Sequence, residues 1–160
     1  MANKTPATAF MEIAGEEAFK GMTDNEGGPF GAIIVKEGRV IAKGHNQVVI
    51  TKDPTAHAEI IALRRASKKL GRFDLSDCEI YSTCEPCPMC LAAIYWARIR
   101  RIYYGCTKED AAKIGFADES IDAAIKGKLS LRKLRMVQME RESCLRLFAL
   151  WEQKPDKVPY

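Results

Sequence analysis

Two short motifs, PTAHAE at residues 54–59 and PCPMC at residues 86–90, carry the most informative chemistry of this chain. Together they supply His57, Cys87 and Cys90, whose side chains are of the types that bind zinc. Catalytic zinc sites use three protein ligands and leave one tetrahedral position open for water, whereas structural sites close all four positions. The motifs therefore predict one zinc ion per chain, held by these three side chains in a catalytic site.

The spacing of the ligands also predicts the local fold. Cys87 and Cys90 are three residues apart, so they share a face in the first turn of a helix that Pro88 can start. The positive end of such a helix favours the thiolate forms that bind metal. His57 and Glu59 are two residues apart, and they reach one site together only if it lies beyond the first turn of their helix. We therefore expect two helix N-termini to meet at the zinc, where Glu59 acts as general acid and base.

Hydrophobic periodicity outside the motifs predicts helices that alternate with strands. Strand-like stretches on both sides of Lys36-Glu37-Gly38 indicate a hairpin, and Gly71 marks the end of a helix. The alternation favours a three-layer α/β/α domain around a central mixed five-stranded sheet. Because no repeat or linker interrupts the chain, we expect a single domain over residues 1–160. The predicted helices span residues 7–22, 56–70, 88–98 and 143–153, and the predicted strands span residues 32–35, 39–42, 79–81, 101–104 and 133–139.

The composition is ordinary for a globular domain, with 47% hydrophobic and 29% charged residues in 160. No stretch approaches the ~20 apolar residues of a membrane span, and the polar start (MANKT) lacks the apolar core of a signal peptide. We therefore expect a cytoplasmic protein without a membrane partner. The net charge of +4 is mild, and basic runs such as residues 98–101 are usually solvated faces, so we expect no nucleic-acid partner.

Three of the six cysteines lie close together, the two predicted ligands and Cys84. In a chain that is not secreted, such clusters are typical of metal binding or catalysis. Two other kinds of metal site stay open: an iron–sulfur cluster, although no fourth cysteine is near in sequence, and a structural Cys₃His zinc site closed by Cys84. The structural site would have no use for Glu59. The isolated Cys78, Cys106 and Cys144 lie in apolar stretches and are expected to be small buried residues.

The spacing H-x-E…P-C-x-x-C is typical of zinc-dependent nucleobase deaminases. Over residues 54–59 and 84–99 the chain resembles the cytidine deaminase-like superfamily. The metal motif is common to the superfamily, whereas the stretches after residue 110 narrow the resemblance to one branch, the small bacterial guanine deaminases. Some relatives are expected to carry an acidic residue before Asp118, where this chain has Ala117. The stretches that resemble this branch in order and spacing are GGPFGA (27–32), GHN (44–46), DPTAHAE (53–59), CEPCPMC (84–90), YWAR (95–98), GFAD (115–118) and the terminal tyrosine.

The resemblance implies hydrolytic deamination of guanine to xanthine and ammonia, with a zinc-activated water and a glutamate proton shuttle. It implies that Asn46 hydrogen-bonds the purine ring and that Phe30 packs against the ring face. Asp118 would reach the 2-amino group and share proton delivery to the departing ammonia. Trp96 would form a wall of the pocket, and Tyr160 would close it.

The resemblance further implies a homodimer whose protomers can exchange the C-terminal segment, residues 143–160. The predicted helix in this segment has one apolar face to dock, and the two prolines before the terminal tyrosine favour an extended path. The segment would then act as a lid over the pocket, which would exclude water from the reaction.

Other functions stay open at the level of the sequence. A tRNA adenosine deaminase shares the zinc motif, but we expect a small glycine-rich stretch after its fourth strand and a basic C-terminal end, where this chain has GFADES (115–120) and an acidic, apolar helix. Another free heterocycle, such as cytosine or ammeline, also presents an amino-bearing carbon between ring nitrogens. A zinc peptidase would carry H-E-x-x-H, which is absent. A non-catalytic zinc-stabilised binding module would not need Glu59, and zinc binding without ammonia release would favour it.

Overall fold

The structure, a computed structural model, describes residues 6–127, 137–156 and 158. All four predicted helices and the first four predicted strands are present, and three short helices, the second, fifth and sixth, were not predicted. In chain order the elements are α1 (Pro6–Thr23), β1 (Gly31–Lys36), β2 (Arg39–His45), α2 (Val48–Thr51), α3 (Ala58–Leu70), β3 (Cys78–Cys84), α4 (Pro88–Trp96), β4 (Arg101–Cys106), α5 (Lys108–Lys113), α6 (Glu119–Ile125) and α7 (Arg141–Gln153).

The sheet is mixed, as predicted, but over the described residues it has four strands, in the order β2-β1-β3-β4. Strand β1 is antiparallel to both β2 and β3, and β3 is parallel to β4. The predicted fifth strand, residues 133–139, is wrong in its described part, since residues 137–139 form no strand. Val137 and Met139 are exposed there, so no buried face stabilises a strand. Residues 133–136 lie outside the described residues.

Helices cover both faces of the sheet, which confirms the three-layer architecture. On one face, Ala14 of α1 packs with Ile33 and Val35 of β1. On the other face, α3 and α4 contribute to the larger core around Ile34 and Ile80. Ile33 and Ile34 belong to opposite faces because successive side chains of a strand alternate. Both are fully buried, and such burial stabilises the fold by about 1.5–3 kcal/mol for each side chain.

Two glycines determine where α3 lies and where it ends. A Cβ atom on Gly44 would lie 2.5 Å from the carbonyl oxygen of Ala58 and 2.7 Å from the amide nitrogen of Ala62. Only glycine therefore allows the end of β2 to pass so close to the first turn of α3. Gly71 has φ +67° and caps the C-terminus of α3, as predicted, because glycine adopts this left-handed conformation without a steric cost. The first turn of α3 and the end of β2 thus meet at one edge of the fold.

Part of the apolar surface is exposed in the single chain. Leu147 and Phe148 of α7 and Tyr95 of α4 are exposed. Cys78 is buried as predicted, but the same prediction is wrong for Cys106 and Cys144. These two lie on the edge strand β4 and on α7, where nothing in the described chain covers them. No helix in the described ranges is long and apolar enough to span a membrane.

Candidate active site

The structure brings the three predicted zinc ligands together. His57 Nδ1 lies 3.6 Å from Cys87 Sγ and 3.6 Å from Cys90 Sγ, and the three ligand atoms lie within 4.8 Å of one another. Bonds of about 2.3 Å to sulfur and about 2.1 Å to nitrogen at a tetrahedral angle would place sulfur and nitrogen roughly 3.6 Å apart. The donor set and its spacing therefore fit zinc.

Cys84 does not belong to this ligand group among the described residues. Its thiol donates a hydrogen bond to the carbonyl oxygen of Thr107 at 3.5 Å. The structural Cys₃His alternative would need this sulfur as its fourth ligand. The geometry instead leaves three protein donors, which is the number typical of catalytic zinc.

Two helix N-termini meet at the ligands, as predicted. His57 is the N-cap residue of α3, and Cys87 is the N-cap residue of α4, where Pro88 lies in the first turn. Within the described chain, neither side chain caps its own helix with a hydrogen bond. Their carbonyl oxygens accept the first helical hydrogen bonds, from Ile61 N at 2.9 Å and Leu91 N at 2.8 Å. The backbone of these residues therefore starts the helices, while their side chains are available to a metal.

Hydrogen bonds within the ligand group shift the pKa values of the two thiols in opposite directions. The bonds from Cys90 and His57 lower the pKa of Cys87 to about 4, against the effect of burial. The bond to Cys87 and burial raise the pKa of Cys90. The same thiolate raises the pKa of His57 through their hydrogen bond. The lowered pKa favours the thiolate form of Cys87, which is the form that binds zinc.

Glu59 lies in the first turn of α3 and is almost completely buried. Its Oε1 accepts a hydrogen bond from Ser82 Oγ at 3.1 Å, and its Oε2 accepts one from Cys90 Sγ at 3.4 Å. Burial raises the pKa of Glu59, and the two hydrogen bonds oppose that shift. A carboxyl group whose pKa moves towards neutrality beside a metal site is suited to accept and return a proton.

Two of the ligands, His57 and Cys87, line a cavity of about 610 Å³. The cavity is of a size and character typical of small-molecule sites, with an apolar lining and a few convergent polar groups. Its predicted site residues are Phe30, Asn46, His57, Glu59, Cys87 and Asp118, and its apolar lining includes Val48, Val49, Met89, Phe116 and Ile121.

Asn46 and Phe30 enter the cavity from neighbouring segments that are tied together. The amide nitrogen of Asn46 donates to the carbonyl oxygen of Phe30 at 3.0 Å. Asn46 Oδ1 accepts from the amide nitrogen of Val48 at 3.1 Å, so its Nδ2 group is the end that can donate to a ligand. The Phe30 ring packs edge-on against Phe116, with ring centroids 4.9 Å apart. The two aromatic rings therefore form one wall, and Asn46 supplies a donor beside it.

Asp118 is the N-cap residue of α6, and within the described chain its carboxylate makes no capping hydrogen bond. Burial raises its pKa, and the positive charge of Lys108 opposes that shift. Lys108 lines the same cavity, and sequence reasoning missed it. The signal was present, because Thr107 and Asp110 form a capping box whose spacing marks the start of a helix at Lys108.

The structure places Trp96 away from this cavity. Its side chain is 63% exposed, and it lines a separate hollow with Ile60, Leu63 and Phe73. The prediction that Trp96 forms a wall of the pocket is therefore not met within the described single chain. Tyr160, predicted to close the pocket, lies outside the described residues.

Residues 4–106 match the family described as the cytidine and deoxycytidylate deaminase zinc-binding region. The chain belongs to this family. The family's zinc-binding region contains all three ligands and Glu59, which agrees with the geometry of the site. The superfamily resemblance inferred from the motifs is therefore confirmed.

Two relatives differ in how much of the chain they resemble. The chain is 44% identical over 151 residues to guanine deaminase of Bacillus subtilis, a match that covers 94% of this chain and 97% of that protein. The X-ray structure of guanine deaminase from Bacillus subtilis superposes with a TM-score of 0.90 over 95% of this chain and 97% of that chain. The tRNA-specific adenosine deaminase of Agrobacterium fabrum is 48% identical over 98 residues, 61% of this chain and 64% of that protein. Of these two relatives, the guanine deaminase matches nearly the whole chain and the tRNA-specific adenosine deaminase matches 61% of it.

Proposed function

We propose that this protein is a zinc-dependent aminohydrolase that converts guanine to xanthine and ammonia. One observation carries the proposal: two of the three zinc ligands, His57 and Cys87, line a single apolar cavity together with Glu59 and Asp118, and the third ligand, Cys90, lies beside them. The likeness to guanine deaminase over 94% of the chain supports guanine as the substrate. The partial likeness to a tRNA-specific adenosine deaminase makes tRNA the second candidate.

The reaction replaces the amino group on C2 of guanine by oxygen from water. A zinc ion held by His57, Cys87 and Cys90 supplies, when bound, a water whose pKa is lowered to about 7. Glu59 accepts a proton from the attacking water and delivers it to a ring nitrogen beside C2. The amino group then leaves as ammonia after it has gained a proton. The buried position of Glu59 and its raised pKa support both transfers.

The polar residues of the cavity would hold the purine for this reaction. Asn46 would donate to a ring acceptor through Nδ2, and Phe30 would pack against the ring face. Asp118 would accept a hydrogen bond from the 2-amino group and would relay to it, as it leaves, the proton that the C2 hydroxyl loses when the carbonyl forms. These roles are supported by the shared cavity and by the absence, within the described residues, of a capping bond on Asp118.

We also propose a homodimer whose protomers exchange residues 143–160, with Tyr160 as part of the closing segment. The support is the exposed apolar side chains of α7 in the single chain: Leu147, Phe148, Leu150 and Trp151. A helix with such a face is stable when a second surface covers it. Exchange of an identical segment between two copies would cover it twice. Light scattering of the purified protein checks the dimer, and a monomer would exclude it.

The activity would serve purine catabolism in the cytoplasm, a reducing compartment in which the ligand thiols stay available to metal. The decisive test is ammonia release from guanine, guanosine, cytosine, adenine, ammeline and a tRNA anticodon stem, measured side by side on zinc-loaded protein. We expect guanine to be the preferred substrate. Preference for the tRNA stem would favour the second candidate, and bound zinc without ammonia release from any substrate would favour a non-catalytic module.

A further inference from the structure

Lys108 connects the loop that leads to Cys87 with the start of α5. Its amide nitrogen donates to Glu85 Oε2 at 3.4 Å, and Glu85 lies two residues before Cys87. The position of Lys108 is fixed from the other side by the capping box, in which Thr107 Oγ1 accepts from the amide nitrogen of Asp110. The backbone of Lys108 is therefore held against the metal loop.

The side chain of Lys108 reaches in the other direction, to α6. Its Nζ lies 2.7 Å from Asp122 Oδ2, and the two side chains are only 18% and 28% exposed. The amide nitrogen of Asp122 donates to the carbonyl oxygen of Asp118 at 3.1 Å. Asp122 and Asp118 therefore belong to the same helical turn, and the ion pair attaches that turn to α5. Such a partly buried pair is screened less by water than a pair on the open surface.

Lys108 also balances the negative charge of the cavity. Among the described residues that line it, Lys108 is the one lysine or arginine. Burial raises the pKa of Asp118, Lys108 lowers it, and Asp122 and Cys87 raise it further. Without Lys108, two carboxylates in one helical turn would face each other with no cation between them.

We propose that Lys108 is a positioning residue that acts through Asp118. Its ion pair with Asp122 fixes the turn that presents Asp118, and its hydrogen bond to Glu85 aligns that turn with the metal loop. The proposal rests on the proposed function, because it explains what fixes the position of Asp118, the carboxylate that would contact the 2-amino group of guanine. It names a side chain that neither the motifs nor the family's zinc-binding region include.

The test uses Lys108→Met, which removes the charge and keeps the length, and Lys108→Arg, which keeps the charge. Lys113→Met is the matched control, because Lys113 lies on the same helix and is paired with Asp110 at the surface. We expect Lys108→Met to lower kcat/KM for guanine by about 10- to 100-fold, as small misplacements of a catalytic group do. Lys108→Arg should keep most of the wild-type kcat/KM, and Lys113→Met should change kcat/KM by less than about twofold. The zinc content of all three variants should equal that of the wild type.

A double-mutant cycle with Asp118→Asn shows whether Lys108 acts through Asp118. We expect Lys108→Met to cost less than about threefold in the Asp118→Asn background, since the group that it positions is already lost. The proposal would be overturned if Lys108→Met lowered kcat/KM as much in the Asp118→Asn background as in the wild type. It would also be overturned if Lys108→Met left the wild-type kcat/KM unchanged, or if Lys108→Arg were as impaired as Lys108→Met.

A second readout does not depend on turnover. We expect carbon-13 NMR of the Asp118 carboxyl group to show a higher pKa in Lys108→Met than in the wild type, because a nearby positive charge is removed. An unchanged pKa would overturn the proposal. If the wild-type protein released no ammonia from guanine, the proposed function would fail, and the NMR comparison would still decide whether Lys108 controls Asp118.

Discussion

Replacing Glu59 by glutamine removes the proton carrier and keeps the size of the side chain. The amide oxygen can still accept the hydrogen bond from Ser82 Oγ, which the carboxylate accepts at 3.1 Å. Cys90 Sγ donates to Glu59 Oε2 at 3.4 Å, and this hydrogen bond would reverse in the variant, because the amide nitrogen can donate to the Cys90 sulfur once zinc holds it as a thiolate. We therefore expect Glu59→Gln to fold normally and to keep its zinc, because no metal ligand and no buried hydrogen bond is lost.

The expected loss of activity follows from the number of protons that Glu59 moves. General acid–base help at one step is worth roughly 10²–10⁴-fold, and we propose that Glu59 serves both the attack of water and the protonation of the ring. We therefore expect kcat for guanine to fall by at least about 10⁴-fold. Steady-state ammonia release measures the loss, and elemental analysis of the same sample measures zinc.

Ser82→Ala is the matched control for this variant. It removes one hydrogen bond to Glu59 and keeps the carboxylate, so it should lower turnover by about tenfold at most, the equivalent of a single hydrogen bond of about 0.5–1.5 kcal/mol. Turnover of Glu59→Gln within tenfold of the wild type would refute the reasoning, because another group would then carry the proton. Loss of zinc from Glu59→Gln would also refute it, because the carboxylate would then be needed to hold the metal.

Three further predictions test the rest of the site and the fold. Asp118→Ala should lower guanine turnover by about 5- to 150-fold with zinc content unchanged, because loss of the acceptor for the 2-amino donors costs about 1–3 kcal/mol. Unchanged turnover would argue for a different heterocycle. Deletion of residues 154–160 should abolish guanine turnover with zinc and folding intact, whereas full activity would exclude a lid. The hydrogen bond from Arg72 lowers the pKa of Asp77 from 3.8 to about 2, so this carboxylate stabilises the fold above its unfolded pKa and that stability is lost as the pH falls through 2. Urea unfolding between pH 4 and pH 2 should therefore show a steeper loss of stability for the wild type than for Asp77→Asn, and equal slopes would contradict this.

The metal group could be predicted from the sequence because its geometry is local. Cys87 and Cys90 need only one helical turn to face one point, and Pro88 marks where that turn begins. The position of His57 relative to Glu59 requires a helix that starts between them, which is where α3 begins. These inferences need only local geometry. The one long-range contact that they assume is the meeting of the N-termini of α3 and α4.

Trp96 shows the limit of a role carried over from the resemblance, which implied that it forms a wall of the pocket. It lies on the same helix as the ligand Cys90, but α4 has nine residues and Trp96 is its last. At about 1.5 Å per residue, roughly 12 Å of helix separates Trp96 from Pro88. The end of α4 that carries Trp96 is therefore far from the metal, and the side chain contributes to a different hollow.

Periodicity could not predict the short helices α5 and α6, because six and seven residues carry too little of it to distinguish a helix from a loop. Only the capping box of Thr107 and Asp110 marks the start of α5. Their burial is also weak, since neither helix contains a buried residue. The prediction of a fifth strand was wrong although its periodicity was clear. Alternating apolar residues near Met139 satisfy the strand pattern, but the pattern does not reveal whether another layer covers them.

The residues of the metal centre could be predicted from the sequence, whereas part of the cavity that lies away from the metal could not. The match to the zinc-binding family ends at residue 106, and it contains the three zinc ligands and Glu59, the groups that we propose activate water and move the first proton. Asp118 and Lys108, with Phe116 in the wall of the cavity, come after that point and lie on or beside α5 and α6. Discrimination between a free purine and another aminated ring must depend on groups that meet the parts of the substrate away from the metal. The segment after residue 106 adds Asp118 and Phe116 to the cavity, beside Phe30 and Asn46, which precede it. We therefore expect changes in this segment to alter the substrate while the metal centre and its chemistry stay the same.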